Sequence, residues 1–309
     1  MKAYSLSRKW VIGLVLLGSL LYASPGTNVS ASPIVVVKSA DLAPYEQVTK
    51  AVVENARFKV DVIALAKNKA NVDEVISQIW ESQPEVIIAL GARALETVTD
   101  HFQDSEIIFG LVANPQPYVS GRQHVPGIAL IPSPNQMLEA VTTLLPDATA
   151  VAVVFDHALP TSPGPFTWER PCGDIDVRLV NLAHTPLATE KLRELAGRVD
   201  AIILQPEGRL LNADFLRSFL SEATELRLPT LAYSSAVVEM GALLALEANL
   251  QSVGKRLAQM AHYVIETGSV NDFGIIPPPH VIVTLNTATA EILEIEITPE
   301  IASSVIKLP

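Results

Sequence analysis

Residues able to hold a small molecule recur in this chain just after short apolar runs. Ser39 and Asp41 follow Ile34–Val37, and Gly91, Ala92 and Arg93 follow Val86–Leu90. Ala113 and Asn114 follow Ile107–Leu111. Further along, Asp156 follows Ala150–Phe155 and Glu207 follows Ala201–Leu204. Ser234 and Ser235 follow Thr230–Ala232, and Glu247 follows Ala242–Leu246. The carboxylates of Asp156, Glu207 and Glu247 suit an ammonium group, and the serine hydroxyls suit neutral hydrogen bonding. Gly91 lets the backbone approach a ligand closely, and the N–H groups beside it can take a carboxylate. Arg93 either clamps an anion or points to solvent. Ser39 and Asp41 either touch ligand or cap a helix, and Asn114 either bonds a polar ligand or forms the turn before Pro115. For Asp156, Glu207, Ser234, Ser235 and Glu247, the alternative is an ordinary solvated loop residue.

Catalytic patterns are missing from the sequence. His101, His124, His157, His184, His262 and His280 show no HExxH or HxH spacing, so no metal site is expected. There is no GxSxG elbow and no phosphate-binding Walker loop. Asp156, His157 and Ser162 lie close together, but three common residues in one loop do not define a hydrolase. Cys172 is the single cysteine, which excludes an intramolecular disulfide, and its neighbours Trp168, Glu169, Arg170 and Pro171 form no Cys-x-x-Cys motif. These residues therefore point to no enzyme class and to no cofactor.

The elements that must carry these residues follow from hydrophobic periodicity. Apolar, β-branched runs predict strands at Ile34–Val37, Lys59–Ile63, Val86–Leu90, Ile107–Leu111, Ile128–Ile131, Ala150–Phe155, Asp176–Leu182, Ala201–Leu204, Thr230–Ala232, Ala242–Leu246 and Val281–Thr284. Segments with apolar residues three and four apart alternate with them, as in Val72–Trp80 and Met137–Leu145. Continuous apolar strands between amphipathic helices imply parallel sheets covered on both faces, an α/β doubly wound architecture. So many strands suggest two sheets. The first series ends near Ile131, Pro132-Ser133-Pro134 breaks helix and strand, and a second series starts at Ala150. Between Asp156 and Gly173, Pro160, Pro163, Pro165 and Pro171 exclude a regular helix and predict an extended loop.

The first residues read as a secretory leader. Lys2, Arg8 and Lys9 precede the apolar stretch Trp10–Ala23, and small residues run from there to Ser32. The apolar core is shorter than the roughly 20 residues needed to span a bilayer. Cleavage is expected after Ala31, with Ala23 the other suitable site, giving a soluble periplasmic protein. The formal net charge is −11, and losing the basic leader makes it more acidic. Such a chain is a poor partner for nucleic acid or anionic lipid.

Three segments together resemble a known family. They are NVDEVISQIWESQPEVIIALGARALETV (71–98), IIFGLVANPQPYVSGRQHV (107–125) and the stretch 199–265, which contains LPTLAYSSAVVEMGALLALEANLQSVGKRLAQMAHYVI. In order and spacing the chain resembles ABC-type solute-binding proteins of the tryptophan/tyrosine-type group, which have the type I periplasmic binding protein fold. The resemblance implies two Rossmann-like lobes joined by a multi-strand hinge. Lobe one would hold 32–131 plus 250–266, and lobe two 132–249 plus 267–309, with crossings near Pro132, Asn249 and Gly268. It implies a small polar, amino-acid-like solute bound between the lobes of a monomer, and an ABC permease as a candidate partner. The alternative is a ligand-sensing or accessory protein working with a membrane kinase or outer-membrane receptor. The chain departs from the family at the proline-rich stretch, where relatives place a polar loop and a full helix, and at Arg93, where they carry small or hydroxylated residues.

Overall fold

The apolar runs fold into strands whose alternate residues enter opposite cores. In β1 (Ile34–Lys38) every residue is buried. Ile34 and Val36 join one hydrophobic cluster, while Val35 and Val37 join another. The same division recurs in β6 (Ala150–Phe155), where Ala152 and Val154 face one cluster and Val151 and Val153 the other. A strand with no polar face must be covered on both sides, which makes its sheet the middle layer of a lobe.

The computed structural model describes residues 32–65, 72–119, 124–156, 166, 168, 175–183, 185 and 188–308. The expected leader and Cys172 lie outside the described residues. So does the expected loop 156–173, apart from Asp156, Phe166 and Trp168.

The remaining strands are β2 (Val60–Ala64), β3 (Val86–Leu90), β4 (Glu106–Val112), β5 (Gly127–Ala129), β7 (Asp176–Asn181), β8 (Ala201–Leu204), β9 (Thr230–Ala232), β10 (Leu244–Ala248), β11 (Ile275–Ile276), β12 (Val281–Asn286) and β13 (Ile306–Leu308). The helices are α1 (Ala43–Asn55), α2 (Val72–Ser82), α3 (Ala92–His101), α4 (Gln116–Val119), α5 (Pro134–Leu144), α6 (Ala188–Leu195), α7 (Ala213–Glu225), α8 (Ser235–Glu239), α9 (Leu250–Thr267), α10 (Thr287–Ile292) and α11 (Pro299–Ser304).

The strands form two sheets, ordered β11-β5-β4-β3-β1-β2 and β13-β12-β10-β9-β8-β6-β7. Pairing is parallel throughout the first. In the second it is parallel except where β12 runs antiparallel to β10. Each lobe thus repeats one order, β2-β1-β3-β4-β5 and β7-β6-β8-β9-β10, and each reverses direction beside its first strand.

Every expected strand forms, with ends shifted by a few residues. β11 and β13 are additional: β11 is two residues long before Pro277, and β13 is a largely exposed edge, so neither carries a periodic signal. The expected strand Ala242–Leu246 starts later, because Gly241 (φ 116°) and Ala242 still close the turn behind α8. Pro132-Ser133-Pro134 ends one element but begins another. Ser133 Oγ accepts from Gln136 N, Gln136 Oε1 accepts from Ser133 N at 2.9 Å, and Pro134 occupies the first turn of α5. β11 pairs with β5, so the chain remains in the first sheet beyond the expected crossing at Gly268. Gly268 instead closes α9 in a left-handed conformation at φ 74°.

Helix α9 returns to the first sheet and packs on α1, with Val253, Leu257 and Met260 in the cluster that holds Val48 and Val52. Gly254 permits this approach: a Cβ there would lie 2.5 Å from Ala51 Cβ and 2.5 Å from Val48 O. Two effects therefore oppose each other in Gly254→Ala. Alanine favours a helix by about 1 kcal/mol over glycine, while overpacking against fixed backbone costs about 1–3 kcal/mol. The contacted carbonyl cannot rotate away, so the second effect should prevail. We predict that Gly254→Ala lowers the urea midpoint of unfolding without changing its slope.

Candidate functional site

The C-terminal ends of strands from both sheets face one cavity. From the first sheet come Leu111 at the end of β4, Ala113, and Leu130 to Pro132 beyond β5; Leu42 and Tyr45 enter from the loop after β1 and the start of α1. The second sheet contributes Leu204 and Pro206 after β8, Tyr233 and Ser234 after β9, and Leu246 to Ala248 of β10. The volume is about 560 Å³, within the ~300–1,000 Å³ usual for small-molecule sites. Strand ends form such a place because they bring many loops together while helices cover the sheet faces.

The wall is mostly apolar, with a few polar groups that have hydrogen-bonding capacity left. Among the described residues, the Tyr45 and Ser234 hydroxyls and the Glu247 carboxylate make no hydrogen bond or ion pair within the chain. Tyr233 differs. Its hydroxyl donates to Leu210 O at 2.5 Å, and burial pushes its pKa up. That bond ties the end of β9 to the 3₁₀ turn Gly208–Leu211, which presents Leu211 to the cavity.

The structure brings Ala113, Ser234 and Glu247 to the cavity wall. It places the other expected contacts elsewhere. Ser39 Oγ accepts from Ala94 N at 2.9 Å, so it caps the start of α3 from a neighbouring loop. Asp41 pairs with Lys38 at 2.9 Å, and Glu46 also accepts from Lys38. Burial by itself would lower the Lys38 pKa, but its hydrogen bonds to Glu46 and Asp41 outweigh that and raise it. Gly91 adopts φ 88°, and a Cβ there would fall 2.5 Å from Tyr45 Oη and 2.6 Å from Ser39 Oγ. The close approach it permits is to the chain's own side chains. Ala92 and Arg93 are half-buried in the first turn of α3. Asn114 is exposed and its Oδ1 accepts from Gln116 N at 3.3 Å, which is its turn-forming role. Glu207 precedes the 3₁₀ turn, and Ser235 opens α8; both are half-buried.

Asp156 is engaged by Arg209. Arg209 Nε and Nη2 each donate to its carboxylate at 2.9 Å, and Arg209 N donates to Oδ2 at 2.7 Å. Arg209 also donates to Thr185 O at 3.1 Å and to Leu182 O, and its guanidinium lies 5.2 Å from the centroid of the Phe215 ring. Gly208 makes room, since a Cβ there would meet Asp156 O at 2.1 Å. The pair staples the loops after β6, β7 and β8 together, so Asp156 supports the rim of the second lobe. The residues that sequence reasoning passed over are mainly apolar: Leu42, Leu130 and Leu211, with Tyr45 and Tyr233. Leu130 directly follows β5, whereas Leu42 precedes α1, Tyr45 lies within it, and Leu211 ends the 3₁₀ turn after β8, so an exposed apolar side chain between a strand and its helix was the available signal for the leucines.

The hydrogen bonds from Arg209 hold the Asp156 carboxyl below its ordinary pKa, against the effect of burial. A depressed pKa means that the ion pair stabilises fully above the unfolded-state value of about 4 and fades as pH falls through the folded-state value. Asp156 is 7% exposed and Arg209 35%, so the loss on breaking the pair falls below that of a fully buried one. We predict that Asp156→Asn costs about 1–3 kcal/mol at pH 7, and that the gap to the unsubstituted protein narrows below pH 4. Urea unfolding of both proteins at pH 7, 4 and 3 checks this.

No protein-family model matches the sequence, and no curated protein matches it. Solved structures do match. A substrate-binding protein with adhesive properties from Clostridium difficile, in its ligand-free open form, aligns with a TM-score of 0.67 at 16% identity, covering 90% of this chain and 99% of that one. An ABC domain in complex with L-Trp from Streptococcus pneumonia aligns with a TM-score of 0.52 at 13% identity, covering 89% and 100%. A chain of a XylFII–LytSN complex aligns with a TM-score of 0.55 at 9% identity, covering 82% and 97%. At these identities the likeness is one of fold. With its paired parallel-sheet lobes and repeated strand order, this chain has the type I periplasmic binding protein fold.

Proposed function

We propose that this protein is a solute-binding protein that closes its two lobes on a small organic molecule and presents it to a membrane importer. The observation that carries this reading is the cavity between the strand ends of both sheets. It is walled by apolar side chains and edged by the Tyr45, Ser234 and Glu247 groups. Hinge closure about the crossings between the lobes would bury the ligand on both sides. The neighbours' own descriptions support it: one is called a substrate-binding protein and another holds L-Trp. The leader read in residues 1–31 supports work in the periplasm. No helix among the described residues is long and apolar enough to cross a membrane. Binding of this kind needs no cofactor and no catalytic step.

A thermal-shift screen of the purified protein against amines, amino acids, small organic acids and nucleosides tests the reading. A ligand at ~100 times its Kd adds ~2.7 kcal/mol, which raises Tm by several degrees in a chain of this size. Ala113→Trp, which puts an indole into the cavity, should abolish that shift while leaving the far-UV circular dichroism unchanged. An unresponsive protein across the whole screen, or a shift that survives Ala113→Trp, would contradict the proposed site.

A further inference from the structure

Resting on the solute-binding reading above, we propose that the cleft takes an apolar amine: an ammonium group at Glu247 and an uncharged hydrocarbon or aromatic body between the lobes. Two independent features point to it.

The first is charge. Among the described residues lining the cavity, Glu247 is the one carboxylate, and lysine, arginine and histidine are not found there. Two cations near the strand ends are already engaged within the chain, Lys38 by Asp41 and Glu46 and Arg209 by Asp156. Glu247 is half-buried and makes no internal hydrogen bond or ion pair among the described residues. Closing the lobes removes water from this carboxylate, which is unfavourable unless the ligand supplies a cation or a donor in its place. An ammonium group supplies a charge-assisted hydrogen bond and compensates that loss. A free amino acid satisfies Glu247 equally well but carries its own carboxylate into the same desolvated space. Besides Glu247, the polar side chains described there are the hydroxyls of Tyr45, Tyr233 and Ser234, with no cationic side chain to pair with the ligand's carboxylate.

The second feature is the apolar surface. Leu42 is 57% exposed, Leu130 37% and Leu211 60%, and all three line this cavity. Leu42 and Leu130 belong to loops of the first sheet, and Leu211 to the second. Large exposed apolar side chains gathered from both lobes at one cleft mark a surface that something apolar covers. A small, highly polar solute would leave them wet.

Isothermal titration of the full chain with three matched probes tests the inference: 2-phenylethylamine, 2-phenylethanol and L-phenylalanine. The amine should bind roughly tenfold or more tightly than either of the others, the value of one charge-assisted bond. Glu247→Gln should remove most of that preference while leaving 2-phenylethanol within about threefold of its original affinity, since the apolar contacts remain. Leu211→Ser, at an exposed position, should weaken amine and alcohol alike. If Glu247→Gln fails to fold, Leu211→Ser and the probe ranking still decide. L-phenylalanine binding as tightly as the amine, or an amine affinity indifferent to Glu247→Gln, would overturn the inference and leave the solute-binding reading standing. No binding by any of the three probes, together with a null thermal-shift screen, would remove that reading as well.

Discussion

Strands without a polar face constrain everything else in this protein. Once β1, β3 and β6 are apolar on both sides, helices must cover both faces of each sheet, and no functional surface can be built there. The ends of the strands are what remains. In the first lobe the loops after β1 and β3 are fastened to one another, with Ser39 capping α3 and Gly91 admitting Tyr45 and Ser39. In the second lobe the Asp156–Arg209 pair fastens the loops after β6 and β8. Both places where strand order reverses are therefore filled by internal contacts. The cavity lies beside them, along the ends of β4, β8, β9 and β10.

This arrangement separates polar residues that support from those that remain available. Lys38, Asp41, Asp156, Arg209 and Ser39 all sit near strand ends, and all have their partners inside the chain. Glu247, Ser234 and Tyr45 face the cavity. The division follows from desolvation: a buried charge is tolerated where a fixed partner is present, and a half-buried carboxylate at an open cleft keeps part of its hydration.

Fold was the more legible part of the sequence. Apolar, β-branched runs such as Ile34–Val37 and Val86–Leu90 can be satisfied only as buried strands, and their spacing leaves room for one helix apiece. β11 and β13 escaped because they are short additions to sheet edges, held by register with β5 and β12 rather than by their own pattern. The lining of the candidate cavity was partly legible from the order of strands and loops and much less so from residue type. Residues after strands do line the cavity, and Ala113, Ser234 and Glu247 are among them. The choice of polar residues misled for Asp156, because its partner Arg209 is 53 residues away and pairs with it only through the parallel alignment of β6 and β8. It also passed over Leu42, Leu130 and Leu211, since an exposed leucine in a loop becomes informative only when others from a second lobe meet it.

Small-angle X-ray scattering of the protein, free and saturated with a molecule that stabilises it, tests the central claim most directly. If the cavity is the mouth between two closing lobes, the radius of gyration falls on saturation and the longest interatomic distances shorten. A bound ligand that leaves the scattering curve unchanged would contradict closure and with it this account of how the fold works.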